Sequence, residues 1–178
     1  MTDLSNRAVP VSPELLNAAL AEVSSVLWRV RDLLDLLVFK LEEEQLLLAA
    51  GRARWLTRAT HEVELVLEEI RHAELRRAVE VDHAAALLGL PPSPSLSSLA
   101  EHAPEPWGDI LLDHRATFLA STREVSAVAE SNRELLTASY QAVQQTMTGF
   151  GGTSDPTTYT PAGASSTTSR SHLFDRAM

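Results

Sequence analysis

A run of apolar residues near the start of the chain recurs at alternating spacings of four and three. A strand would alternate every second residue, and a lone amphipathic helix would follow a period of 3.6. The period of 3.5 therefore predicts a long helix packed lengthwise against other helices. The residues of this heptad seam are Leu16, Leu20, Val23, Leu27, Val30, Leu34, Leu37 and Leu41.

The composition of the chain supports helices and disfavours several functions. Hydrophobic residues make up 44% of the sequence but aromatic residues only 5%, which is typical of long helices and predicts an all-α fold. The net charge of -9 disfavours nucleic acid as a partner, and the lack of cysteine excludes thiol catalysis. Because no secretory signal and no uninterrupted apolar span are found, we expect a cytoplasmic protein without stable membrane insertion.

The first helix has clear boundary signals. Ser12, Pro13 and Glu14 provide a capping hydroxyl, a first-turn proline and a first-turn acid. The apolar pattern then continues to about Ala50, and Gly51 is the expected turn residue.

Further helices are predicted after Gly51. An apolar pattern reaches about residue 88, and the short connection makes this helix antiparallel to the first. Gly89 and the prolines that follow it end the helix. A short helical turn is expected within residues 95–103, and a last long helix within residues 107–147.

These segments predict an elongated antiparallel bundle, or coiled coil, of three long helices plus a short connector helix. The helical domain comprises residues 1–147. Residues 148–178 are rich in Gly, Ser, Thr and Pro and are predicted to form a disordered C-terminal tail, because they cannot bury enough apolar surface to offset the entropy of ordering.

Two Glu-x-x-His matches invite comparison with carboxylate metal centres. Glu69 with His72 and Glu80 with His83 have this spacing, but both pairs lie on one helix, roughly 16 Å apart. A di-iron site takes one pair from each of two facing helices, so we predict no metal site and no cofactor. His61 extends the histidines into an exposed stripe. A metal-binding helical bundle using these residues remains the alternative function.

The sequence also lacks the usual catalytic motifs. It contains no Gly-x-Ser-x-Gly sequence and no phosphate-binding glycine loop, so we predict that the protein is not an enzyme. Asn132 occupies an apparent seam position of the last helix. It is either a buried amide that fixes helix register or a half-exposed residue.

The order of these elements resembles that of FlgN-type flagellar export chaperones. The resemblance covers about residues 12–163 and includes the string Asn132-Arg133-Glu134-Leu135-Leu136 and the tail string Tyr159-Thr160-Pro161-Ala162-Gly163.

This resemblance implies a type III secretion chaperone that binds the hook-filament junction proteins FlgK and FlgL through their terminal helical segments. It further implies that Tyr159, with Gly163, docks on the export gate protein FlhA, while Leu173 and Phe174 could be a second anchor.

The apolar seam suits an amphipathic client helix, and we expect the second helix to cover it only in part. A self-associating coiled coil is a further alternative, and a homodimer is expected when no client is bound. The residues predicted to bind the client are Val125, Val128, Asn132, Leu135, Leu136, Tyr140 and Val143.

Overall fold

A computed structural model describes residues 12–151 of the chain, including all side chains except those of residues 150 and 151. Within this range the chain forms only helices and the connections between them, which confirms the all-α prediction. The four helices are α1 (Pro13–Ala49), α2 (Ala53–Leu88), α3 (Leu96–His102) and α4 (Trp107–Gly151). The chain divides into two compact units, and the boundary lies between Thr137 and Ala138.

The helix ends lie close to the predicted positions, but the predicted cap of α1 is wrong, since the Ser12 hydroxyl makes no capping hydrogen bond. Pro13 stands in the first turn of α1 with Glu14 beside it. Gly51 adopts a φ of 62° in the turn before α2, and Gly89 adopts a φ of 71° after α2. The left-handed backbone at Gly89 lets the Leu90 amide donate to the Ala85 carbonyl at 2.8 Å, which closes α2 as predicted.

The first unit is built around the α1–α2 hairpin, since these two helices approach each other most closely. Most of the heptad seam is buried, while Leu16 and Leu34 are half-buried. Ala19, Val26 and Leu33 are buried beside the seam, so the apolar face of α1 is wider than a two-helix contact requires. The expectation that the seam stays partly vacant is therefore wrong: α2, α3 and α4 cover it along its length.

The connector end of this unit holds its best-packed cluster. Leu20, Val23 and Leu27 of α1 meet Leu99 of α3 and Leu111 of α4, and all five side chains are fully buried. The Ser95 hydroxyl caps α3 by accepting from the Ser98 amide at 3.1 Å. The connector thus seals one end of the bundle.

Helix α4 begins close against the connector. A Cβ on Gly108 would lie 3.1 Å from the carbonyl oxygen of Ala100, so the small residue permits this approach. The indole Nε1 of Trp107 donates to Oδ1 of Asn17 in α1 at 3.0 Å. These contacts fix where α4 starts relative to α1 and α3.

Farther along the first unit, α4 contributes less to the core. Leu37 and Leu41 of α1 and Val63 and Val66 of α2 form a buried cluster. The α4 side chains at its edge are only half-buried: these are Val125, Val128 and Ala129.

The second unit, where described, is the end of α4 from Ala138 to Gly151. All of its described side chains are exposed. The helix continues past the predicted domain boundary at Met147, and the Thr148 hydroxyl donates to the Gln144 carbonyl at 3.0 Å. The rest of the predicted tail lies outside the described residues. Within residues 12–151, no helix combines the length and hydropathy that crossing a bilayer requires.

Candidate functional site

The end of α4 presents an apolar stripe to solvent. Tyr140, Val143 and Met147 are 65%, 55% and 66% exposed, and their spacings of three and four place them on one face of the helix. The Tyr140 hydroxyl accepts a hydrogen bond from the Gln144 amide at 3.0 Å, which is local to the helix. We call Tyr140, Val143 and Met147 the α4 stripe. Large apolar side chains at helical spacing are suited to bind the apolar face of another helix.

The other predicted client-binding residues lie in the first unit and differ in burial. Leu136, four residues before Tyr140, is 48% exposed, and Leu135 is half-buried. Val125 and Val128 are half-buried against the cluster formed by α1 and α2. Only some of the predicted residues are therefore accessible to a partner in this conformation.

Asn132 is buried, being only 4% exposed. Its Nδ2 donates to the Leu41 carbonyl at 2.9 Å and to a Glu44 carboxylate oxygen at 3.2 Å, whereas its Oδ1 has no partner. Next to it, the Gln45 amide donates to the Ser131 hydroxyl at 2.6 Å. Of the two interpretations of Asn132, the buried seam residue is the correct one. The side chain holds α4 against α1 through directed hydrogen bonds.

A second buried polar contact joins α4 to α1 near the connector. His114 is only 1% exposed, and a hydrogen bond of 3.2 Å links its Nε2 to the Ser24 hydroxyl, while its Nδ1 has no partner. The Trp28 ring meets the imidazole edge-on at 5.2 Å between centroids, and the Phe118 ring stacks on it at 6.3 Å. The imidazole is therefore enclosed by apolar rings.

The surroundings of His114 disfavour its charged form. Burial lowers its pKa below the ordinary value of 6.5, the Arg31 guanidinium lowers it further, and Asp113 opposes both effects. The guanidinium of Arg31 lies 4.2 Å from the Trp28 ring centroid and pairs with Asp113 at 3.2 Å. The sequence analysis predicted no role for His114. The available signal was helical spacing, which places His114 on one face with Leu111 and Phe118 and places Ser24 on one face with Leu20 and Leu27.

The histidine stripe on α2 is exposed, as predicted. His61 and His72 have side chains that are 66% and 65% exposed, and they lie near Glu64 and Glu68 on the same helix. Glu69 faces Arg29 at 3.6 Å. No three potential ligand side chains come together within residues 12–151, so the metal-binding alternative finds no site there.

A groove not expected from the sequence lies beside the turn between α1 and α2. We call it the turn groove; its volume is about 550 Å³. Leu46, which is 70% exposed, and Trp55, which is 45% exposed, stand on its two sides. The signal that was available in the sequence is the presence of bulky apolar residues on both sides of the Gly51 turn. The groove is lined by Glu43, Leu46, Leu47, Trp55, Arg58, Ala59 and Glu62.

The predicted gate-docking residues, Tyr159 and Gly163, lie outside the described residues, as do Leu173 and Phe174.

Comparison with protein families agrees with the resemblance. The family model described as FlgN protein matches residues 19–167, which include most of α1, all of α2 and α3, and α4. Comparisons with curated proteins and with solved structures found no match. FlgN proteins are chaperones of flagellar export and bind hook-associated proteins. Because the match covers most of the sequence, the chain belongs to the FlgN family of flagellar export chaperones.

Proposed function

We propose that this chain is a cytoplasmic chaperone that binds the terminal helical segments of FlgK and FlgL and delivers them to the export gate. The observation that carries the proposal is the α4 stripe, whose bulky apolar side chains are more than half exposed. Fully burying one such side chain contributes about 1.5–3 kcal/mol. A client helix that covers the stripe would therefore gain substantial binding energy.

The client contacts form in two groups. Leu136, Tyr140 and Val143 are exposed and are available for a first encounter. Val125 and Val128 already pack on the cluster of α1 and α2. A client helix therefore reaches these valines, and Leu135 and Asn132 beside them, only after this part of α4 shifts away from α1.

Calorimetric titration with a terminal segment of FlgK tests the client site. Replacing Tyr140→Ala together with Val143→Ala is expected to weaken binding by at least about tenfold, since large side chains near the centre of an interface dominate affinity. A matched control is Leu75→Ala with Val79→Ala, which removes two apolar side chains of α2 that are 68% and 66% exposed. Equal affinities of both variants for FlgK would contradict the client site.

Gate docking is proposed for Tyr159, with Gly163 close to it in the sequence. An aromatic residue in a polar segment is suited to insert into a pocket of a partner protein. Tyr159→Ala should abolish capture by the soluble domain of FlhA and leave FlgK binding unchanged. The variant Tyr140→Ala with Val143→Ala should show the opposite pattern. If Tyr159→Ala binds FlhA normally, the docking residue lies elsewhere.

We further propose that the α4 stripe pairs with a second copy of the chain when no client is present. Helices with exposed apolar stripes associate to remove that surface from water. Sedimentation equilibrium should then show a dimer that FlgK converts into a chaperone–client complex. The variant Tyr140→Ala with Val143→Ala should be monomeric at the same concentration. A dimer that persists in that variant would exclude the stripe as the dimer interface.

A further inference from the structure

The side of α1 that faces solvent carries a second set of residues at heptad spacing. They follow one another at alternating spacings of four and three, and each of them is exposed. Helices that pack lengthwise on a partner helix use this spacing. We call the set the outer line; it consists of Trp28, Asp32, Asp35, Phe39, Glu42 and Leu46.

The apolar members of the outer line are large. Trp28, Phe39 and Leu46 are 52%, 52% and 70% exposed. Aromatic residues make up only 5% of the chain, yet both aromatic residues of α1 lie on the outer line and not in the buried seam. Large aromatic side chains dominate the binding energy of many interfaces. The placement of Trp28 and Phe39 therefore indicates a surface that contacts another molecule.

The cations next to the outer line are already paired with acids outside it. The Arg31 guanidinium lies 4.2 Å from the Trp28 ring centroid, and the Lys40 ammonium lies 5.3 Å from that of Phe39. These groups and their acidic partners neutralise one another, so they leave no positive charge for the acids of the outer line. The ion pairs are Arg29 with Glu69 at 3.6 Å, Arg31 with Asp113 at 3.2 Å, Lys40 with Glu43 at 2.7 Å and with Glu62 at 2.8 Å, and Arg58 with Glu62 at 3.0 Å.

The acids of the outer line are without such partners. Asp32, Asp35 and Glu42 form no ion pair within residues 12–151. They lie between the apolar members, so the same face of α1 is both apolar and acidic. The acidic part ends before the turn, because the next charged residues after α1 are Arg52 and Arg54. A helix that covers this face needs apolar side chains with Lys or Arg between them.

Other occupants fit the outer line less well. A second copy of the same face would bring acids against acids, and an uncharged helix would remove the acids from water without giving them partners. The α4 stripe lies in such an uncharged segment, since residues 138–151 contain no Asp, Glu, Lys or Arg. The two apolar surfaces of the protein therefore differ in chemistry and are suited to different partners.

We propose that the outer line is a second docking surface, which binds a basic amphipathic helix of another protein. The partner helix packs lengthwise along α1 for about 27 Å. Its apolar side chains cover Trp28, Phe39 and Leu46, and its Lys or Arg side chains pair with the acids between them. The contact uses residues of the first unit alone and does not depend on the client.

Photo-cross-linking in cells that produce the full chain tests this proposal. A benzophenone amino acid in place of Phe39 should cross-link to another protein, and mass spectrometry should locate the adduct in a segment with apolar residues at helical spacing and Lys or Arg between them. The same probe in place of Leu75, which is 68% exposed on α2, should not form that adduct. Tyr140→Ala with Val143→Ala should leave the cross-link unchanged, which separates this contact from the client site.

Calorimetry with a peptide of the cross-linked sequence tests the charge pairing on the full chain. Asp32→Asn with Asp35→Asn should weaken peptide binding by roughly threefold to tenfold. The matched control is Glu101→Gln with Glu105→Gln, which removes the same charge from exposed positions of the connector and should not change the affinity.

The apolar members are tested with the same peptide. Phe39→Ser with Leu46→Ser should weaken binding by at least about tenfold. Circular dichroism should show the same helix content in every variant, because all of the replaced side chains are exposed.

Several results would overturn the proposal. One is the absence of any adduct at position 39, and another is an adduct with an acidic or uncharged segment. An adduct with a second copy of the chain would assign the outer line to self-association, and one with FlgK or FlgL would assign it to the client. Equal affinities of the wild type and the Asp32→Asn, Asp35→Asn variant would exclude the charge pairing and, with it, a basic partner.

Discussion

Two stretches of α4 pack on the same hairpin with very different strength. In the stretch before residue 119, Leu111 and His114 are fully buried and Gly108 lies against the connector helix. In the stretch from Val125 to Thr137, the apolar side chains are at most half-buried, and the fully buried residue is Asn132. The first stretch is anchored by apolar packing, whereas the second is positioned mainly by hydrogen bonds. The weaker packing predicts that the second stretch opens more readily than the first.

The largest effect is expected from removing an anchor of the first stretch. Leu111→Ala leaves a cavity in a fully packed cluster and should lower the free energy of unfolding by about 3 kcal/mol. Val128→Ala, at the edge of the second cluster, should lower it by only about 1 kcal/mol. Urea unfolding followed by circular dichroism measures both values. Equal losses would show that the two stretches are docked equally well.

The next effect concerns the hydrogen bonds that position the second stretch. Asn132→Ala removes the donors to Leu41 and Glu44 and should cost about 1–2 kcal/mol. In the Asn132→Ala variant, hydrogen exchange should show faster opening of residues 125–137 than of residues 107–118. Asn132→Leu is the control, because the leucine fills the space that the alanine variant leaves empty but makes no hydrogen bonds. If the leucine variant keeps wild-type protection, the amide does not set the position of this stretch.

Acidification should weaken the first stretch through His114. Burial depresses the pKa of this group in the folded protein, so the unfolded chain binds more protons as the pH falls below 6.5. The stabilising contribution is complete above pH 6.5 and is lost as the pH falls from there towards the folded-state pKa. The slope reaches at most about 1.4 kcal/mol per pH unit.

Unfolding free energies measured across this pH range check the sign of the effect. His114→Gln should remove this part of the slope, while Arg31 and Asp113, the charged groups beside the ring, remain in place. An unchanged slope in His114→Gln would assign the pH dependence to other groups.

The smallest effect is expected at the surface of the first stretch. Asp113 pairs with Arg31 at 3.2 Å, but its side chain is 71% exposed. Asp113→Asn should therefore change the unfolding free energy by less than about 0.5 kcal/mol, since exposed ion pairs contribute little. A larger loss in thermal denaturation would mean that this pair, and not the buried packing, anchors the start of α4.

The helices could be predicted closely because their signals are local. Pro13, Gly51, Gly89 and Trp107 mark changes of backbone direction that depend on near neighbours. The heptad seam correctly indicated lengthwise packing. Its occupancy could not be predicted, because whether α2, α3 and α4 fill one face of α1 depends on contacts between residues far apart in sequence.

Less of the candidate functional site could be predicted, because several of its contacts also join residues of different helices. Exposed residues such as Tyr140 and Val143 follow from the spacing along one helix. The burial of His114 depends on Ser24 and Trp28 of another helix, and the turn groove requires Leu46 and Trp55 to meet across a turn. Asn132 was identified as a seam position, but only its contact with Leu41 distinguished the two interpretations.

The connector helix also affects how often one chaperone molecule can be used. Leu99 and Ala100 pack against Leu111 at the start of α4 in the best-packed cluster, so we expect this end of the bundle to stay folded when the second stretch opens. If a client binds at the proposed site, loading and release would need only a local motion of this stretch. The chaperone would then avoid the unfolded state, in which proteases and aggregation remove a protein.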